Sequence, residues 1–235
     1  MNHTLTAPVA GVTAERTGTK LRPGLLGGLG GLVFAGSVIA QNAIRSGFPM
    51  NDASTEDVMR YYADHRGATI ALSVLFPLGL VALTTFLGAV VSRIVSGAGR
   101  AAGLAGAFGA AAIVGCFTIV TSADVAIAGY IHRGAAEPSV VEGLWVLHNA
   151  IFGFLLAAIG IALAGLSTGA AASGLLSKRW AVAGPVGGVL MVAAAATTPA
   201  ILDGSPTFFV GVAGFAVWVA FVIRTAVALL RSRDI

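Results

Sequence analysis

The chain has 235 residues, of which 57% are hydrophobic and only 10% charged, and its mean hydropathy is +0.90. A soluble domain carries roughly 25% charged residues, and 14 basic plus 10 acidic side chains cannot cover a water-facing surface of this size. The composition excludes a soluble globular enzyme, a disordered chain and a nucleic-acid-binding module, and it points to an integral membrane protein. The formal charge of +4 is therefore read for its distribution along the chain rather than for its sum.

Residues 1–23 are polar and lack the apolar core of a cleaved signal peptide, so they read as a flexible cytoplasmic tail. Six apolar stretches follow, at about 24–43, 68–91, 102–131, 143–167, 180–201 and 207–230. A helix needs about 20 apolar residues to cross a hydrocarbon core. Barrel-type alternation is absent, so the expected fold is all-α: one polytopic six-helix transmembrane domain over residues 24–231. Pro77 is expected to kink the second span, and the third is long enough to tilt or project. Glycine-rich runs such as GLLGGLGG and GLAGAFGAAA predict close helix approach.

The first long loop contains STEDVMRYYADHR, which reads as a short helix. Ser54 and Asp57 form a variant capping box, and Val58, Tyr61, Tyr62 and His65 share one face. The helix is expected to lie at the interface with its tyrosines at headgroup level, or to act as a lid over an outer cavity. Ser205 before Pro206 is a suitable start for span six, which makes Asp203 a turn residue.

Loop charges orient the chain. Arg16, Lys20, Arg22, Arg93, Arg100, Lys178, Arg179, Arg224, Arg231 and Arg233 fall on one side, and Arg45, Arg60, Arg66 and Arg133 on the other. The richer side is cytoplasmic by the positive-inside rule, which places both termini inside. Arginine outnumbers lysine twelve to two, as GC-rich bacterial genomes tend to produce, so a bacterial plasma membrane is the expected location. The single cysteine, Cys116, excludes intrachain disulfides and cysteine zinc sites.

Offsets of 79 and 83 residues suggest a hairpin repeat, 65–124 and 148–203, that would bring His65, His148, Asp124 and Asp203 to one outer level. Asp124 is the only carboxylate embedded in an apolar run, with Thr118 and Thr121 before it. An intramembrane acid faces protein or water and is a functional-site candidate by default. Asp124, Thr121, His148, Asn149, Trp145, Asp203 and His65 are the candidate ligand- or proton-binding residues. Asp124 and Glu142 are the candidates for acid–base catalysis. No spacing fixes a metal site, and no phosphate-binding loop, paired haem histidines or mid-span lysine is present, so neither metal nor cofactor is expected.

The external STEDVMRYYADHRG helix, VVEGLWVLHNAIFG at the start of span four and the closing FAVWVAFVIRTAVALLR resemble a family of small bacterial six-span membrane proteins of unknown function, common in actinobacteria. The likeness covers most of residues 24–231 and implies fold and membrane location, with no activity to carry over. Two functions stay open. One is a transporter-like protein, sensor or accessory subunit with a polar outward-facing cavity. The other is a membrane-embedded enzyme acting on an isoprenoid or other lipid-soluble substrate. The expected partners are the lipid bilayer, a small solute or lipid-soluble ligand, and a homo-oligomer or membrane complex; no nucleic acid is expected.

Overall fold

The computed structural model describes residues 23–232 except 96 and 135. The expected N-terminal tail, apart from Pro23, lies outside these residues. Every regular element among the described residues is helical: α1 Pro23–Arg45, α2 Thr55–Asp64, α3 Arg66–Ile94, α4 Arg100–His132, α5 Pro138–Ala172, α6 Trp180–Ala196, α7 Thr198–Leu202 and α8 Phe208–Arg231. Five of them, α1, α3, α4, α5 and α8, are long and apolar enough to cross a membrane, and α6 is a shorter apolar helix. At 1.5 Å per residue, α4 and α5 are each about 50 Å long, more than a perpendicular crossing needs.

The run expected to be one helix over 180–201 breaks at Thr197 into α6 and α7. The cause is local. Pro199 has no N–H to give the Ala195 carbonyl, and it disfavours helical geometry in the residue before it. The Thr198 hydroxyl donates to Ala195 O at 2.6 Å, and the Thr197 hydroxyl donates to Ala194 O at 2.8 Å. Side chains thus supply the donors that the broken backbone lacks. By contrast, α3 runs without interruption through Pro77.

The long helices form a ring in which α1 packs on α3, α3 on α4, α4 on α5, α5 on α6, α6 on α8 and α8 on α1. The outer surface of the ring is apolar, and its interior is a mostly apolar core that also holds a few buried polar side chains. Phe108, Val74, Val81, Val189 and Phe209 are exposed, whereas Gln41, Asp124, His148, Asn149 and Ser167 are buried. A helix in hydrocarbon has no reason to hide its apolar side chains, but it must hide its polar ones.

Small residues let α5 serve as the shared wall between α4 and α6. Gly106 and Gly165 meet across α4 and α5, and Gly160 and Gly188 meet across α5 and α6. A Cβ on Gly160 would fall 2.7 Å from the Gly188 carbonyl oxygen, so no larger residue fits without moving a backbone.

At one end of the ring, α2 folds inward against α4 and α5. Ser54 caps it as expected, accepting from Asp57 N–H at 3.2 Å and donating to Asp57 Oδ2 at 2.7 Å. Exposed Arg60 pairs with Asp57 and Glu56, each at 3.0 Å. On the opposite face Val58 and Tyr62 are fully buried and join Ile127, Val141 and Trp145 in a small second core. This corrects the reading of two tyrosines resting at headgroup level, because the Tyr62 hydroxyl is drawn inward by a buried carboxylate.

Overpacking a tight core typically costs about 1–3 kcal/mol. Gly160→Leu is therefore expected to lower the thermal midpoint of the detergent-purified protein clearly. Gly115→Leu on α4, where a Cβ would meet nothing within 4 Å, should leave it nearly unchanged.

Candidate functional site

Asp124 is fully buried at the α2 end of the ring. Three other elements reach its carboxylate. Tyr62 of α2 donates its hydroxyl to Oδ1 at 2.6 Å, a length typical of a hydrogen bond to an ionised acceptor. Arg45, the last residue of α1, brings Nη2 to 2.8 Å from Oδ2. His148 of α5 places Nδ1 3.1 Å from Oδ1. The arginine and histidine contacts are close enough for charge attraction, yet neither is aligned as a hydrogen bond, so Arg45 Nε, Nη1 and Nη2 and His148 Nδ1 make none.

Aromatic rings fix these partners. The Arg45 guanidinium lies 5.4 Å from the centre of Phe48 and 5.5 Å from that of Phe117, an arrangement that replaces part of its hydration by π-electron density. The His148 ring is stacked between Trp145, at 5.0 Å, and Phe152, at 6.2 Å. All three lie on α5 at spacings of three and four residues, which put them on one face.

Beside this cluster the ring holds a half-open cavity of about 570 Å³, within the usual range for small-molecule sites. α1, α3, α4, α5 and α8 line it, together with the connection from Ser46 to Asn51. The deep wall is apolar and includes Phe34, Leu83, Ile113, Ile159, Phe215 and Trp218. The other end is polar, with Gln41, Asn42, Arg45, His148 and Asn149. Gln41 Nε2 donates to Ser37 Oγ at 3.0 Å, and Ser37 in turn donates to Leu75 O on α3. Gln41 Oε1 and Trp145 Nε1, both on cavity-lining residues, are buried without a hydrogen-bond partner.

The candidates from sequence are thus divided. Asp124, His148, Asn149 and Trp145 come together here, and Thr121 is buried on the same helix as Asp124 with its hydroxyl unpartnered. Of these, Trp145, His148 and Asn149 line the cavity, while Asp124 stands behind Arg45 and His148. Glu142, Asp203 and His65 are exposed and do not line it. His65 stacks on Tyr61 with centroids 4.4 Å apart. Of the four residues that the repeat would place at one level, Asp124 and His148 touch. Among the described residues, no group of three His, Cys, Asp or Glu side chains is placed to hold a metal ion.

Sequence reasoning missed Arg45, Tyr62 and Gln41. Arg45 was one of four cations assigned to the same side and Tyr62 one of two adjacent tyrosines. The available signals were the i, i+4 spacing of Gln41 and Arg45 and that of Val58 and Tyr62. No protein-family model, curated protein or solved structure matches the chain.

Burial raises the Tyr62 phenol well above its ordinary pKa of 10.0, and the Asp124 charge and hydrogen bond add to the shift. Above pH 10 the unfolded chain releases this proton while the folded protein keeps it. The Tyr62 contribution is therefore complete below pH 10 and lost as pH rises further, by up to about 1.4 kcal/mol per pH unit. Tyr62→Phe should cost about 2 kcal/mol at neutral pH, the range for hydrogen bonds to charged groups. Unfolding midpoints measured between pH 8 and 11 should fall less steeply above pH 10 in Tyr62→Phe than in the wild type.

Proposed function

We propose that the protein is a six-span membrane protein that binds a small lipid-soluble ligand inside its helix ring, as a transporter-like protein or sensor does. The observation that carries this reading is the cavity, apolar and aromatic in its depth and polar at the single end where Arg45, His148 and Asn149 converge. Such a shape suits a molecule with an apolar body and one polar group. Acid–base catalysis by Asp124 or Glu142 is the weaker reading. Asp124 is engaged by Arg45 and Tyr62, Glu142 is exposed, and neither lines the cavity.

The six crossings are α1, α3, α4, α5, α6 with α7, and α8, with both termini cytoplasmic in a bacterial plasma membrane. Support comes from the ten-to-four division of basic residues and from the ring order, in which α6 fills the place between α5 and α8. The α2 end, with its polar cluster, then faces outward. In a Cys116→Ala background, a membrane-impermeant maleimide applied to intact cells should label Ser139→Cys and leave Ser177→Cys unlabelled. The reverse pattern would invert the topology.

Organic extraction of the detergent-purified protein followed by mass spectrometry tests the binding reading. The wild type should retain a lipid-soluble molecule. Leu83→Trp and Val114→Trp, which put indoles into the cavity space, should lose it while remaining folded. A wild type that retains nothing and binds neither added retinol, hexadecanol nor hexadecanoate would contradict the reading, as would variants that retain as much as the wild type.

A further inference from the structure

From the polar end of the cavity we infer that the ligand carries a carboxylate: a single-chain amphiphile whose anionic head docks on Arg45 and Trp145, with its apolar chain in the aromatic depth. The inference rests on the binding reading above and adds the chemistry of the head.

Arg45 has five N–H groups, its side chain is only 9% exposed, and none of its nitrogens makes an aligned hydrogen bond. Trp145 Nε1, a donor only, is also buried without a partner. Both residues line the same end of the cavity, with these nitrogens covered by neighbouring protein atoms, so a docking head engages them as the two side chains turn toward it. Leaving buried donors unpaired is costly, and a group with acceptors alone satisfies them best. A carboxylate is such a group, and its planar geometry matches the guanidinium fork. The Phe48 and Phe117 rings hold that fork at the cavity end without offering it a hydrogen-bond acceptor. Gln41 Oε1, the unmet acceptor nearby in sequence, is one helical turn from Arg45 on α1.

Charge balance adds a second condition. Among the described residues, Arg45 and His148 are the titratable ones lining the cavity. The charged and titratable groups behind them are Asp124 from α4 and, bonded to it, Tyr62 from α2, with Tyr61 beside Tyr62. From its own helix His148 meets Trp145 and Phe152, and Phe152 leads on to Phe208 of α8; none of these is charged. An anionic head therefore shares the Arg45 guanidinium with Asp124, and His148 lies beside both.

Native mass spectrometry of the full chain with hexadecanoic acid and with its methyl ester tests the inference. Hexadecanoate is expected to bind at least about tenfold more tightly than the ester, the factor that one hydrogen bond to a charged group supplies. The paired change Arg45→Gln with Asp124→Asn, which keeps the cluster neutral, should bring the acid down to the ester. Trp145→Phe, a milder change, should weaken the acid selectively and leaves the test intact if the pair fails to fold. Equal binding of acid and ester, or an acid preference that survives both variants, overturns the carboxylate. If hexadecanoate fails to bind while a neutral molecule is retained by the wild type, the carboxylate fails and the binding reading stands. If nothing binds, both fail.

Discussion

The arrangement depends on one buried charge. A carboxylate removed from water is costly unless opposite charge and donors meet it. Asp124 answers that cost by collecting Arg45 from α1, Tyr62 from α2 and His148 from α5. Four elements remote in sequence are thereby tied at one end of the ring. The tie also decides where α2 goes: without the Tyr62 bond to Asp124, an amphipathic helix of ten residues has no polar reason to turn inward.

The same tie shapes the cavity. α1 and α4 are not neighbours in the ring, since α3 stands between them. Arg45 spans that separation at the cavity end, and Phe48 and Phe117 hold its guanidinium there. A cation braced in this way orders the polar end while leaving most of its donors unspent. Elsewhere in the ring, glycine pairs such as Gly160 and Gly188 bring helices into backbone contact. Tight packing along α4, α5 and α6 and open space among α1, α3, α5 and α8 are two outcomes of the same ring, set by where small and aromatic residues fall.

Much of this was legible in the sequence. The helical class and most helix positions follow from apolar run lengths, and the cap of α2 follows from Ser54 and Asp57. Asp124 stood out because a lone acid in an apolar run is rare, and His148, Asn149 and Trp145 were drawn to it by their place at the start of α5. Its partners were not legible. Four cations were available on one side, and choosing Arg45 requires knowing that its long side chain can reach past α3. The inward turn of Tyr62 rather than Tyr61 is set by the phase of α2 against α4, a tertiary fact. His65 and Asp203 were grouped with Asp124 by the offset repeat, but offset matching carries no information on which way a side chain points; both are exposed. The break at Thr197 did have a local sign in Pro199, hidden by the apolar character of the run around it.

A double-mutant cycle on the charged pair tests the central role of Asp124 most directly, read as unfolding stability of Arg45→Met, Asp124→Leu and the combined variant in detergent. Removing either partner alone strands a buried charge and should cost about 3–5 kcal/mol, whereas removing both should cost far less than the sum, because no uncompensated charge remains. Losses that simply add, or single variants as stable as the wild type, would show that the pair does not hold this end of the ring together.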